Sequence, residues 1–261
     1  VFVIRLVYYY VIHLIKSTRL HGIHSPFVFD LYNRVIIHTG SFSIFPAIEK
    51  IRQSLYKNNK QVLITDFGAG SRTQNTRTKT ISHIARTTAN PPRRAQLLFR
   101  LVNFQQPVTI LEIGTSLGLT TSYLAAAKKK AQVFTLEGCS PLAQQAELVF
   151  KKLQLKNVEV ITGNFDETLP IVLAGLNTVD FVLFDGNHRY EPTLRYFEWC
   201  LTKSTENSVF VFDDIYWSKE MQQAWKQICK HPEVMISIDL FYLGFIFFRK
   251  NQPKQHFTIR V

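Results

Sequence analysis

The chain has 261 residues, 46% of them hydrophobic, with a net charge of +12. That length and apolar content suffice for one large α/β domain plus an extension. Three scattered cysteines (Cys139, Cys200, Cys229) with no C-x-x-C pair argue against a disulfide framework or a zinc site and fit a reducing, cytoplasmic setting. The charge is uneven: residues 1–100 hold 15 Lys/Arg against 3 Asp/Glu, and residues 101–261 hold 16 against 16. Such asymmetry marks either a solvated basic face or a surface for an anionic partner, whether nucleic acid, lipid headgroups or a phosphate-bearing substrate.

The first run, Val1–Ile15, is strongly apolar but includes Arg5 and His13. It is too short to span a bilayer, and no small-residue cleavage site follows it. It reads as a helix packed on the domain, with membrane-surface contact as the alternative. Residues 1–57 read as helices broken at His21-Gly22, at Ser25-Pro26 and near Ser43–Pro46. A short strand, Val62–Thr65, leads into Asp66-Phe-Gly-Ala-Gly-Ser71 and then a polar basic stretch, Arg72–Thr80, that reads as a mobile loop able to close over a substrate. Residues 1–80 thus form a basic, mainly helical cap, and residues 81–261 the main domain. Helical patterning returns at 81–89 and, after Pro91-Pro92, at 95–104.

From Val108 onward strands alternate with helix-length segments, the mark of a parallel sheet with crossover helices. Strands are expected near 108–113, 132–137, 157–161, 179–184 and 208–212. Helices are expected between and after them, at about 119–128, 141–153, 166–174, 191–202 and 218–229. The last two strands, 234–239 and 244–249, are joined too tightly for a parallel crossover and must pair antiparallel. The fold class is therefore α/β and Rossmann-like, with a seven-stranded, mostly parallel sheet finished by an antiparallel strand.

The most telling segment is Thr109-Ile-Leu-Glu-Ile-Gly-Thr-Ser-Leu-Gly-Leu-Thr-Thr-Ser-Tyr-Leu-Ala125. A strand feeding a glycine turn that opens a helix brings backbone N–H groups close to a nucleotide-like ligand. The next strand ends on Glu137, well placed for ribose hydroxyls. Glu112, two residues before Gly114, would repel a pyrophosphate but suits a cation such as the amino-acid end of S-adenosylmethionine. Asp66-Phe-Gly-Ala-Gly70 has a similar look, but no helix pattern or strand-terminal acid follows it, so it reads as a structural or lid turn. Asn90-Pro-Pro-Arg93 reads as a helix start.

With Glu-Ile-Gly-Thr-x-x-Gly-x-Thr at 112–120, the chain resembles class I S-adenosylmethionine-dependent methyltransferases, within them the catechol and caffeoyl-CoA O-methyltransferase branch. The likeness covers roughly residues 80–250. The whole layout, His24-Ser-Pro-Phe-Val-Phe29 included, also resembles an uncharacterised bacterial methyltransferase group. The resemblance implies a cofactor site of Glu112, Gly114, Thr115, Ser116, Gly118, Glu137, Gly138 and Cys139, with Asn164, Phe165 and Asp166 facing the adenine and Asp185 beside the methyl donor.

Asp185, Asp213 and Asp214 end two successive strands with no cationic neighbour in sequence, a charge density that a divalent cation would relieve. In the resembled O-methyltransferases a magnesium-like ion is held by an Asp after the fourth strand and an Asp-Asn pair after the fifth. Asp185 and Asp213 match that pattern; Asp214 stands where the family has Asn. The alternative is that Asp213-Asp214 cap the next helix. His188 falls where the family places a Lys base and suits the same proton-accepting task; the alternative is a loop histidine bonding to backbone, and the change from Lys leaves the acceptor class open. The expected catalytic pair is then His188 and Asp185, and the expected metal ligands are Asp185, Asp213 and Asp214. The acceptor is expected to be a small or carrier-borne hydroxyl compound, with an anionic group fitting the basic cap. RNA bound to residues 1–100, a non-enzymatic cofactor-binding scaffold and a homodimer stay open as alternatives. No His spacing of the H-x-x-x-H or H-E-x-x-H type occurs.

Overall fold

The computed structural model describes residues 2–18, 24–66 and 75–260. The chain divides into two units, Val1–His38 with Thr178–Val261, and Thr39–Asn177.

In the unit Thr39–Asn177, helix α3 (Phe45–Tyr56) precedes a hairpin of β1 (Gln61–Asp66) and β2 (Asn75–Thr80), paired antiparallel from Gln61↔Thr80 to Asp66↔Asn75. The expectation of a mobile loop over 72–80 is corrected here: Asn75–Thr80 is a strand. Thr76, Thr78 and Thr80 recur with period two, and β-branched residues fit a pleated ribbon even among basic neighbours. The turn at residues 67–74, including Arg72 and most of the Asp66–Ser71 motif, lies outside the described residues. Helix α4 (Ile81–Thr87) starts where the Thr80 hydroxyl accepts from His83 N at 3.2 Å, a side-chain cap on an orphan helix donor. Helix α5 (Pro92–Gln105) begins at the proline pair as expected.

The sheet proper follows: β3 (Thr109–Ile113), α6 (Leu119–Ala127), β4 (Gln132–Glu137), α7 (Ser140–Lys152), β5 (Val158–Thr162) and α8 (Phe165–Ala174). β3, β4 and β5 are parallel neighbours in that order. Ile110, Leu111, Ile113 and Glu112 are fully buried, the continuous burial of a parallel strand covered on both faces.

In the other unit, helix α1 (Phe2–Lys16) and the short α2 (Pro26–Leu31, capped by Ser25) lead into a π-helical turn, Tyr32–Ile36. The break expected at His21-Gly22 lies outside the described residues. Then come β6 (Phe181–Phe184), α9 (Tyr190–Leu201), β7 (Val209–Asp213), α10 (Lys219–Lys230), β8 (Ile236–Asp239), β9 (Leu243–Phe247) and β10 (Gln255–Thr258). Their order is β10-β8-β9-β7-β6. β9 pairs antiparallel with both β7 and β8, as its short connection to β8 required. A further strand, β10, runs parallel to β8; its signal in the sequence is the alternation of Phe257 and Ile259 with polar residues, too short to be among the expected strands. β7 reads Val-Phe-Val-Phe-Asp and is buried throughout. Among the described residues no helix is long and apolar enough to cross a membrane.

Candidate functional site

The expected site residues stand at the carboxyl ends of parallel strands, one cluster in each unit. In the unit Thr39–Asn177, Glu112 sits near the end of β3 with no exposed surface. Its Oε2 accepts from Thr121 Oγ1 and from Thr135 Oγ1, each at 2.5 Å. Thr115 Oγ1 lies 2.6 Å from Thr135 Oγ1 and extends the chain of hydroxyls. Glu112 Oε1 is buried with no hydrogen-bond partner. Burial pushes the Glu112 carboxyl up to about 7, with the two threonine bonds opposing and the charge of Glu137 adding. A buried carboxylate oxygen without a donor is costly, and a cationic ligand would relieve it.

The turn after β3 bends through the left-handed region three times, at Gly114 (φ 107°), Ser116 (φ 51°) and Gly118 (φ 73°). Gly114 N and Thr115 N both donate to Leu136 O, at 3.0 and 3.1 Å, which ties the turn to β4. Gly118 is needed twice over: besides its φ, a Cβ there would lie 2.7 Å from the Phe150 ring of α7. Close packing of α6 on α7 thus fixes where the helix, and its N–H groups, begin.

Glu137 ends β4 and is buried. Its Oε2 accepts from Ser116 N at 2.7 Å and its Oε1 from Cys139 N at 2.9 Å. Burial pushes its carboxyl up to about 6, while backbone N–H groups of Cys139, Ser116, Thr115 and Gly138 draw it down. Each carboxylate oxygen has two lone pairs, so each retains one beyond its bond to Ser116 N or Cys139 N. The Glu137 carbonyl accepts from Gly163 N at 2.9 Å, bringing the ends of β4 and β5 together. There Asn164 Oδ1 accepts from Asp166 N at 3.2 Å and caps α8, with Phe165 half-buried and Asp166 exposed in its first turn.

In the other unit, Asp185 follows β6 and lies 3.8 Å from His188 Nε2, beyond hydrogen-bond reach. Burial pushes the His188 imidazole below its ordinary value, against the pull of Asp213. Asn187 between them is left-handed (φ 52°) and its Nδ2 donates to Tyr196 Oη at 3.2 Å. Asp213 closes β7 and is buried. Asp214 turns left-handed (φ 53°), its N donating to Tyr242 O and its carbonyl accepting from Trp217 N, both at 2.8 Å. Among the described residues no three His, Cys, Asp or Glu side chains are gathered so as to hold a metal. The expected ligands share a strand-end region without forming a ligand set.

Two residues of this geometry escaped sequence reasoning. Thr135 stands directly across from Glu112 in the parallel register, and Thr121 reaches it from the first turn of α6. A hydroxyl inside a buried strand beside a buried acid was the available signal, since buried polar atoms need partners.

A family model described as a methyltransferase domain matches residues 111–215. A transmembrane O-methyltransferase homolog of Rattus norvegicus is 35% identical over 104 residues, covering 38% of this chain and 40% of its own length. A catechol O-methyltransferase of Niastella koreensis is 29% identical over 127 residues, covering 48% of this chain and 57% of its own. The chain thus spans well under two thirds of the length of these curated relatives. Among solved structures, the O-methyltransferase from Bacillus cereus in complex with SAH superposes with a TM-score of 0.57 at 18% identity, covering 81% of this chain and 94% of that one. An SAH-bound methyltransferase of Podospora anserina gives 0.56 at 15% identity, over 81% and 98%.

Proposed function

We propose, on the match of residues 111–215 to a methyltransferase-domain model, that the chain is an S-adenosylmethionine-dependent O-methyltransferase acting on a hydroxyl of a small or carrier-borne acceptor. The observation that carries the reading is Glu112, a fully buried carboxylate with one oxygen lacking any donor, under a left-handed glycine turn. A ligand with an ammonium group supplies that donor. Glu137, already fastened to the turn, has lone pairs left for ribose hydroxyls, and the N-terminal turn of α8 borders the adenine.

S-adenosylmethionine supplies a methyl group already activated on a sulfonium. The chain's own work is alignment and proton removal. Glu112 and Glu137 hold the two ends of the donor; His188 takes the acceptor's hydroxyl proton on its imidazole nitrogen. Burial keeps that imidazole neutral toward lower pH, which is the form a base requires. Asp185, at 3.8 Å, favours the imidazolium once the proton arrives.

A divalent cation at Asp185, Asp213 and Asp214 is the finer part of the proposal. Their side chains are not gathered into a ligand set, so no step is routed through a metal.

The test is ligand-dependent thermal unfolding. A hundredfold excess of S-adenosylhomocysteine over its Kd stabilises by about 2.7 kcal/mol, a shift of a few degrees for a chain of this size, and NAD gives none. A shift with NAD and none with S-adenosylhomocysteine overturns the reading. In parallel, turnover on a catechol-type acceptor is followed with and without a chelator. Loss restored by magnesium or manganese assigns the three aspartates to a cation; unchanged turnover removes the cation from the proposal.

A further inference from the structure

Helix α1 carries a feature that methyl transfer does not use. Ile4, Val7, Tyr8, Val11 and Ile15 are exposed at 75, 56, 60, 47 and 78%. At 100° per residue these five positions fall on one arc about 100° wide, the width of an apolar stripe that normally faces a core. The helix is nevertheless docked by its opposite side. Arg5 donates to Trp217 O at 2.8 Å, and His13 Nε2 lies 3.3 Å from Asp239 Oδ1. The Tyr9 ring packs on Tyr216, and on the flank Tyr10 meets Phe241 edge-on at 4.9 Å. One face is thus fixed to its unit while the apolar face points to solvent.

The helix itself is basic. No acidic residue precedes Asp30, while Arg5 and Lys16 lie on α1. Lys16 is exposed, and so is Arg260, which the Thr18↔Ile259 bridge brings to the C-terminal end of the helix. Trp217, whose carbonyl holds Arg5, is itself 46% exposed, and Trp and Tyr are the side chains that favour a membrane interface.

We propose that the outer face of α1 docks this protein onto an anionic lipid surface, lying in the headgroup plane. Its opposite side is fastened to its own unit through Arg5, Tyr9 and His13, so the helix offers only its outer face and lies along the surface. An apolar stripe flanked by cations is what such a surface binds. A second copy of the chain would bring like charges together, and five side chains fall short of the about 20–30 residues a side of a stable dimer.

The experiment is vesicle co-sedimentation of the 261-residue chain. Phosphatidylcholine vesicles with a third phosphatidylserine are expected to bind at least tenfold more protein than pure phosphatidylcholine, with the difference shrinking in high salt. The double variant Val11→Glu, Ile15→Glu is expected to lose that binding tenfold or more at an unchanged melting temperature. Should the double variant melt early, Tyr8→Trp serves instead, with a blue-shifted emission on anionic vesicles expected. No binding by the wild-type chain, or no emission shift from the Tyr8→Trp variant, overturns the proposal. So does a concentration-dependent dimer that the double variant abolishes in the absence of vesicle binding, which would give the face to a second copy.

Discussion

The two carboxylate clusters each close the carboxyl end of a parallel strand pair, β3 with β4 and β6 with β7, yet they are built differently. Around Glu112 and Glu137 the donors are in place: two threonine hydroxyls on one carboxylate and two backbone N–H groups on the other. Around Asp185 and His188 the contact is long, the flanking Asn187 and Asp214 are left-handed, and the three aspartates do not gather. The first cluster has a rigid frame with one acceptor left over, as a site for a constant ligand requires. The second shows a longer charged contact and no gathered ligand set among the described residues. On the proposed function, the first cluster holds the methyl donor and the second acts on the acceptor.

If this division of labour holds, the largest effect belongs to His188. Replacing it with Ala is expected to lower turnover by about 10²–10⁴-fold, the usual contribution of a positioned base, while S-adenosylhomocysteine affinity stays within about twofold of wild type, a small change on the scale of hydrogen-bond losses. Calorimetric titration beside a turnover assay checks both. A matching collapse of cofactor affinity would break the comparison.

The buried glutamates make the second effect, on stability without ligand. Both carboxyls titrate higher in the folded state than at their ordinary 4.5, Glu112 at about 7 and Glu137 at about 6. Between those values the folded chain binds more protons than the unfolded one, so this stability is full below about pH 4.5 and falls as pH rises to about 7. At 1.36 kcal/mol per pKa unit, Glu112 accounts for about 3 kcal/mol and Glu137 for about 2. Urea midpoints at pH 5 and pH 8 measure the decline, and Glu112→Gln should flatten most of it. Stability that holds or rises across this window for the wild-type chain would show that the carboxylates are better satisfied than the geometry says.

The same variant sharpens the ligand side. Glu112→Gln keeps the shape but removes the charge facing the ammonium. It should weaken S-adenosylmethionine binding by about 1.5–3 kcal/mol, roughly 10- to 150-fold, while leaving the ligand-free chain at least as stable above pH 7. Gain of stability with loss of affinity is the signature of a charge kept for a ligand. Equal losses in both would make Glu112 a structural residue only.

How much of this was legible in the sequence follows the same divide. β3, β4, β6 and β7 were visible as apolar runs ending in acids, because strands buried on both faces admit little else. The glycine turn was visible because φ angles of 73° and 107° select glycine. What failed was local and polar. β2 looked like a loop because its basic residues masked the period-two threonines, and β10 went unread because its alternation, Phe257-Thr-Ile259, is so short and follows a polar run. The threonines on Glu112 were hidden for another reason: their role comes from parallel register and helix placement, which join positions 9 and 23 residues away. The three aspartates were correctly placed at strand ends, but strand ends alone do not aim side chains.

Thr121 gives the smallest effect and the finest test of the frame. Its hydroxyl donates to Glu112 Oε2 alongside Thr135, leaving Oε1 as the oxygen without a donor. Thr121→Val conserves shape and removes one donor, so Glu112 should hold its proton to a still higher pH. Because Thr135 keeps the second bond, the cost to cofactor affinity at pH 7 should be only about 1.5 kcal/mol, the low end for a bond to a charged group. Affinity requires ionised Glu112, so in wild type it should climb with pH, at most tenfold per unit, and level off above about 7. In Thr121→Val the levelling point should move upward, and Thr121→Ser should restore it. A packing defect would lower affinity at every pH and leave the levelling point where it was. An unmoved levelling point would therefore separate Thr121 from the charge state of Glu112, and with it the claim that the donor site is held ready by its hydroxyls.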